Sequence, residues 1–342
     1  MNKEALALLL NDLHVTSDNI SEFEKNWYDA ISVAKEHKIM DIVIGGDVFT
    51  SRASQTLPVL LAVKGAFTYA VKNGLHITVA AGNHDRPQAK SVLSYCHLYE
   101  TIEGVDVVDD FRLLDWQEGF CLVVISYFPE NDGFESILKK VKYEVEEQYF
   151  GLEDVILYIH EGVHGALGDF DIGGECPQEW FKGFKAVLCG HYHNRVKIKG
   201  TNIEYIGSSR QHNFGEDEKK GYTILYSDGS TEFVQNEVNV RYRTIEADYD
   251  DDLQLDDDPR YKTRLRLNCT DAQAKTVDKE KLLAMGFNKI ELKTEKVKAI
   301  EVKDTGIDQR FDKQGIKKEY KRFCNTKEIE PDLGLKYLDK LN

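Results

Sequence analysis

The chain has 342 residues, 42% hydrophobic and 30% charged, with a formal net charge of −15. This is the balance of a soluble globular protein with one large domain or two to three modest ones. The acidity argues against a protein that coats nucleic acid through a basic face, but not against an enzyme that meets phosphates through metal ions or through a more basic partner.

The first two-thirds alternates short apolar runs with stretches of helical spacing. Ala5–Asn11 reads as a strand, Ser21–Lys38 as a helix, Asp41–Gly46 as a strand, Leu57–Lys72 as a helix and His76–Ala81 as a third strand. Asp12 and His14 stand where a leader peptide would need a small-residue cleavage site, so the first apolar run is read as structure. The β-α-β-α-β rhythm predicts a parallel or mixed sheet covered by helices. Val105–Val108, Phe111–Trp116 and Cys121–Phe128 follow as strands, Gly133–Phe150 as a helix, and Val155–His160 and Ala186–Cys189 as buried strands. Ile203–Gly207 is a further strand, and Tyr222–Tyr226 and Ser230–Val234 form a hairpin across Ser227-Asp228-Gly229.

The character changes near residue 238. Glu246–Pro259 is acidic and reads as a solvated connection. Tyr261–Asn268 alternates basic and apolar residues, Asp278–Met285 is a short helix and Lys289–Val297 a strand, together a small α+β unit. From Gln309 onward Phe311, Ile316, Tyr320, Phe323, Leu333, Leu335, Tyr337, Leu338 and Leu341 keep helical spacing in a polar background. That is too few apolar residues for a separate core, and such segments pack on a neighbour or partner. The expected division is 1–238, 239–308 and 309–342. The six cysteines form no CxxC pair, and Cys121 and Cys189 lie in apolar runs as small core residues, which fits a reducing cytosol. No apolar run is long enough for a bilayer, so a cytoplasmic protein without a membrane partner is expected.

The chemistry sits where the apolar runs end. Asp12-Leu13-His14 follows the first, Gly46-Asp47 the second and Gly82-Asn83-His84-Asp85 the third; His160 follows Val155–Ile159, and Gly190-His191-Tyr192-His193 follows Ala186–Leu188. Loops at the carboxyl ends of strands form the site in open α/β sheets. Any one of these could be a turn or a helix cap, but five in order deliver carboxylates, an amide and imidazoles to one rim. A mixed N/O set suits Mn²⁺, Fe²⁺ or Zn²⁺ better than Ca²⁺ or Mg²⁺. A single zinc needs about three protein ligands, whereas seven candidates suit two ions about 3.5–4 Å apart that share a carboxylate. His191 and His193, on one face of an extended segment, can each reach a different ion. His160-Glu161-Gly162-Val163-His164 has HExxH spacing, but the β-branched run before it and Gly162 argue against the helix that a zincin needs.

In this order DxH, GD, GNHD, H and GHxH resemble the calcineurin-like metallophosphoesterases over roughly the first 195 residues. The resemblance implies an α/β fold, a two-sheet β-sandwich flanked by helices. It implies Asp12, His14 and His193 on one metal, Asn83, His160 and His191 on the other, and Asp47 bridging. His84 would contact the phosphate and protonate the leaving oxygen, with Asp85 orienting a neighbour. The segment Tyr205–Tyr222, YIGSSRQHNFGEDEKKGY, is similar to the "GS…Q…FGE…KG" stretch of the Mre11/SbcD nucleases, and the compact length is most like their viral form. That resemblance implies a small α+β capping domain, C-terminal helices that dock on an ABC-type coiled-coil ATPase of the SbcC/Rad50 kind, DNA as substrate, and a homodimer. It implies two divalent ions, Mn²⁺ foremost with Mg²⁺, Fe²⁺ or Zn²⁺ as alternatives, and a 3′-to-5′ exonuclease with single-strand endonuclease activity. Thr50 departs from the His or Asp these nucleases often carry three positions after the bridging aspartate. Arg52, Arg86 and Arg210, and also Arg195, lie near the motif loops and are candidates to hold backbone phosphates, while Arg260, Lys262, Arg264 and Arg266 form a basic strip. The main rival is an esterase of small phosphodiesters or nucleotides. A protein phosphatase is disfavoured because no GDxxDRG follows Asp47, and a metal-dead scaffold is disfavoured by the intact ligand set.

Overall fold

The computed structural model describes residues 3–88, 91, 93–128, 131–148, 151–168, 175–256, 258–294, 313–326 and 330–340. Four parallel strands carry the first sheet: β1 (Ala5–Leu10), β2 (Asp41–Ile44), β3 (His76–Ala80) and β4 (Val105–Val108). Between them run α1 (Ile20–Glu36) and α2 (Leu57–Lys72). The second sheet is built from β5 (Phe111–Asp115), β6 (Cys121–Ile125), β7 (Val155–Ile159), β8 (Ala186–Cys189), β9 (Val196–Lys197) and β10 (Ile203–Tyr205), with α3 (Asn131–Glu147) between β6 and β7. Its order is β5-β6-β7-β8-β10-β9, and β6, β7, β8 and β10 are parallel. The chain then returns to the first sheet. β11 (Gly221–Tyr226) pairs antiparallel with β1, Leu8 opposite Ile224, and β12 (Thr231–Gln235) closes that edge, giving the order β12-β11-β1-β2-β3-β4.

Strand periodicity explains the layers. Alternate residues of β1 face opposite ways. Leu8 and Leu10 join Ile42, Ile44, Trp27, Ile31, Val63 and Phe67 in the core beneath α1 and α2. Ala7 and Leu9 join Val43, Leu122, Val124, Ile156 and Leu188 between the two sheets. Val123, Leu157 and Val187 face Phe134 and Val141 of α3 in a third core. A strand buried on both faces reads as a continuous apolar run, which is why these strands were visible without alternation. The expected α/β two-sheet sandwich flanked by helices is the observed architecture.

β13 (Arg241–Asp248), β14 (Tyr261–Cys269) and β15 (Lys289–Thr294) form a third sheet in that order, accompanied by α4 (Asp271–Ala274) and α5 (Lys279–Ala284). β13 enters the stretch expected to be an acidic connection: Glu246, the first residue of that stretch, lies in β13 and pairs with Arg266 of β14, Nη1 to Oε1 at 3.2 Å. By compactness the chain divides into two units, 1–246 with 252–266 and 279–291, and 247–251 with 267–278 and 292–342. The second unit contains α6 (Lys313–Thr326) and α7 (Asp332–Lys340). Residues 295–297 of the expected last strand, and Phe311 and Leu341 of the C-terminal pattern, lie outside the described residues, as does Phe150. No helix among the described residues is long and apolar enough to cross a membrane.

Candidate metal centre

The first two strand-end loops are zipped together by backbone. Asp12 N donates to Gly46 O, His14 N to Asp47 O and Val15 N to Val48 O, at 2.9–3.0 Å. Asp12, His14 and Asp47 all take left-handed backbone, φ 52°, 46° and 53°, and His191 has φ 88°. Such conformations cost non-glycine residues free energy and concentrate where the surroundings impose them for function. Gly46 and Gly82 let the loops close: a Cβ at Gly46 (φ +113°) would lie 2.5 Å from His160 Nδ1, and one at Gly82 would strike the Asp47 carboxylate.

The result is a convergence of lone pairs. Asp12, His14 and His193 offer ligand atoms all within 4.8 Å of one another, and so do Asp12, Asp47 and His160. His14 Nε2 and His193 Nε2 are 3.0 Å apart. Asp47 Oδ2 lies 3.6 Å from His14 Nε2 and 3.3 Å from His160 Nε2, between the two groups. The Asn83 amide oxygen faces only acceptors, His191 Nδ1 at 3.1 Å and Asp47 Oδ2 at 3.3 Å. As hydrogen bonding this orientation is wrong on both sides, since the amide nitrogen faces the Arg52 guanidinium; a cation beside the oxygen would satisfy the oxygen side. Asp12 Oδ1 is fully buried without a hydrogen-bond partner and lies 3.8–3.9 Å from the Nε2 atoms of His14, His160 and His193. An orphaned buried carboxylate oxygen is costly, and a divalent ion relieves it. The residues present therefore fit metal ions.

Electrostatics agree. Burial pushes the His14 and His191 imidazoles down to about 4, so both are neutral and able to coordinate. Burial also opposes charge on His160, but Asp47 beside it wins and holds it at about 10. A proton on His160 thus stands in for positive charge that a cation would supply. Three of the imidazoles are aimed by their other nitrogen: His14 Nδ1 meets Phe49 O at 3.2 Å, His160 Nδ1 meets Gly45 O at 2.9 Å, and His193 Nδ1 meets Glu216 Oε1 at 2.8 Å.

His84 stands at the rim. Its backbone N donates to Asp47 Oδ1 at 2.8 Å, its Nδ1 lies 2.6 Å from Thr50 O, and its ring is edge-on to His14 at 5.2 Å. The carbonyl, not the side chain, of residue 50 orients this ring, so threonine there leaves the arrangement whole. Asp85, grouped with His84 and expected to orient a neighbour, lies beneath the site, fully buried, accepting from Phe49 N at 2.9 Å and Gly82 N at 2.8 Å. Its position is that of a residue that ties two loops together.

The arginines divide. Arg52 is exposed and its Nη2 touches the Asn83 amide at the edge of the site. Arg210 is 4% exposed and donates to Leu13 O and His14 O at 3.1 and 2.9 Å, so its guanidinium holds the first ligand loop from behind. Arg86 is buried, 5.6 Å from the Phe128 ring. Arg195 is committed to Glu204 at 2.7 Å and to Thr223 Oγ1 at 2.9 Å. The basic strip is neutralised: Arg260 pairs with Asp258, Lys262 with Glu22 at 2.7 Å, Arg264 with Glu291 at 3.2 Å, and Arg266 with Glu246 and Glu291. Residues 160–164 contain no helix, so His164 is not a partner of His160 in a zincin site.

Sequence reasoning missed three residues. His212 Nε2 donates to Asp12 O over 2.8 Å, and its ring packs within 5.0 Å of His14 and 4.8 Å of His193. The signal for Glu216 was present in the FGE segment but was not connected to His193. Lys220, fully buried, extends the same clip, with Nζ 2.5 Å from His193 O, 3.0 Å from Asn194 Oδ1 and 3.2 Å from Glu216 Oε2. Replacing Glu216 with Gln is expected to weaken Mn²⁺ binding about 10–100-fold, read by titration calorimetry; undiminished affinity would remove Glu216 from the centre.

These groups line a cleft of about 480 Å³ whose walls include His14, Asp47, His84, His191, His193 and His212. Residues 6–195 match the family model described as Calcineurin-like phosphoesterase, more than half of the chain. The chain belongs to this family. As a calcineurin-like phosphoesterase it is a metal-dependent hydrolase, with the candidate ligands on strand-end loops of both sheets. "Putative phosphoesterase 244L" of Invertebrate iridescent virus 6 is 23% identical over 275 residues, 77% of this chain and 92% of that protein. Among solved structures, Pseudomonas putida nuclease MPE covers 65% of this chain and 84% of its own at 15% identity and TM-score 0.30. A dimetal phosphatase from Danio rerio covers 64% and 91% at 10% identity and TM-score 0.37. Neither of these two likenesses bears on the substrate.

Proposed function

We propose that this phosphoesterase is a two-metal DNA nuclease, a 3′-to-5′ exonuclease and single-strand endonuclease, working with an ABC-type coiled-coil ATPase. The observation that carries the phosphodiesterase reading is the convergence of Asp12, His14, Asp47, Asn83, His160, His191 and His193 beneath an open cleft with His84 at its rim. Asp12, His14 and His193 would hold one ion, Asn83, His160 and His191 the other, and Asp47 both. The nitrogen-rich set favours Mn²⁺. Bound ions supply a deprotonated water and neutralise charge on the phosphate. His84 presents Nε2 to the cleft because Thr50 O holds Nδ1. In its protonated form it gives that proton to the oxygen leaving phosphorus as the new phosphorus–oxygen bond forms. Arg52, exposed beside Asn83, is the arginine best placed to meet a non-bridging oxygen.

DNA is favoured by the resemblance of 205–222 to the SbcD segment, and the ATPase by the amphipathic C-terminal pattern in α6 and α7. A second reading, hydrolysis of small phosphodiesters, is favoured by the neutralised strip on β14 and by the net charge of −15. A nuclease assay on end-labelled single- and double-stranded DNA with Mn²⁺, Mg²⁺ or chelator, run beside an aryl phosphodiester, separates them. Mn²⁺-dependent loss of labelled DNA is the expected result. Ester turnover with both DNAs intact, alone and with an added SbcC-type ATPase, would establish the small-substrate reading.

A further inference from the structure

A second cleft, of about 430 Å³, opens beside the metal centre. It shares only His191 and His193 with the first, so the two clefts meet at the pair of imidazoles that would face the two ions. Their chemistry differs. The first is walled by histidines and acids and includes Arg210 and Lys262. The second has an apolar side of Ala166, Leu167, Tyr192, Val196 and Tyr205 and a polar side of Asn194, Asn213 and Glu216, and among the described residues no lysine or arginine lines it. Leu167 is 42% exposed and Val196 36%, and neither packs into a described core cluster. The Tyr192 ring is braced at a tilt by two neighbouring rings, 4.9 Å from His191 and 5.0 Å from Tyr205, with its hydroxyl donating to Glu175 Oε1 at 2.6 Å. A tyrosine fixed at both ends, next to a ligand histidine, is a preformed stacking surface with little rotamer freedom left to lose.

A phosphodiester has two ester arms, and a phosphorus atom at the centre sends one to each side. From this we infer that the second cleft is a nucleobase subsite: it takes the planar base of one nucleoside arm against Tyr192, Leu167 and Val196, while the other arm runs along the first cleft. The inference rests on the phosphodiesterase reading and adds to it a selectivity. Diesters with a nucleoside arm are preferred over diesters with a small alkyl arm, because the alkyl group leaves this apolar wall wet.

The test compares the p-nitrophenyl ester of thymidine 5′-phosphate with methyl p-nitrophenyl phosphate, which share a leaving group and differ only in the other arm. Leu167→Asp and Val196→Asp, both on exposed side chains, should lower the ratio of kcat/KM for the nucleoside ester to that for the methyl ester by about tenfold, the scale of one base-stacking contact. An unchanged ratio overturns the subsite. Binding of thymidine 5′-phosphate to the Mn²⁺-loaded full chain, by calorimetry, gives a readout free of turnover. Affinity about tenfold weaker in the variants supports the subsite even if neither ester is hydrolysed, in which case the functional reading alone falls. Equal affinity in parent and variants, or no binding by the parent, overturns the subsite.

Discussion

Replacing His84 with Ala is expected to lower kcat for a nucleoside phosphodiester by about 10²–10⁴-fold, the range of a positioned general acid. Metal content should survive. The contact that His84 makes with the ligand set runs through its backbone N to Asp47 Oδ1 at 2.8 Å, and alanine keeps it. What is lost is the imidazole braced by Thr50 O. The loss should also depend on the leaving group. A p-nitrophenolate departs without a proton, so its diester should suffer much less than one with an alkoxide leaving group. Equal losses for both would assign His84 to phosphate binding rather than proton transfer, and full retention of activity would remove it from the mechanism.

Asp47→Asn should have the larger effect on the metals. Asp47 is 2% exposed, lies between the two ligand groups, and is held in its charged form by His160 and His14 even though burial opposes that charge. Asparagine matches its shape and keeps an acceptor for His84 N, but withdraws the negative charge that both ions would share. Mn²⁺ binding should weaken at least about 100-fold, and phosphodiester turnover should fall with it. Thermal melts give an independent reading. A ligand that binds only the folded state at 100 times its Kd adds about 2.7 kcal/mol, so Mn²⁺ should raise the Tm of the parent protein clearly and that of the variant little. In chelator the variant should be less stable than the parent, because Asp47 and the protonated His160 form a buried pair at 3.3 Å and asparagine removes one half of it. A variant whose Tm climbs with Mn²⁺ as steeply as the parent's would show that Asp47 does not hold the ions.

What could be read without coordinates follows from where information is local. A parallel strand buried on both faces announces itself as an apolar run, and the residues after it are then at a sheet's carboxyl edge. That is how Asp12, Asp47, Asn83, His160 and His191 were found together although up to 179 positions separate Asp12 from His191. The loops' supports were not legible, because their partners are set by tertiary approach. Arg210 looks like a phosphate ligand in sequence; only the return of the chain beside β1 turns its guanidinium to the carbonyls of Leu13 and His14. The strip on β14 was read correctly as one face of a strand, yet its neutralisation by Glu246 and Glu291 depends on neighbours in the sheet that no periodicity specifies. His212 carried no signal at all, since a lone histidine in a polar loop has no spacing to another ligand. The FGE…KG pattern was visible, but its structural use is to brace the His193 loop through Glu216 and Lys220, so it serves the metal centre whatever the substrate.

The antiparallel pairing of β1 with β11 sets an order of events on the ribosome. The family match ends at residue 195, but β1 has its other neighbour only when residues 221–226 arrive, and the carboxylate that aims His193 comes at 216. A nascent chain that has just completed its last ligand motif therefore still exposes one full edge of its first strand, a template for pairing with the wrong partner. Closing that edge spans more than 200 residues of chain, the kind of distant contact that slows folding. A gene fragment cut at residue 195 should accordingly accumulate as aggregate, whereas one carried through β12 has both six-stranded sheets complete and its histidine loop clipped in place.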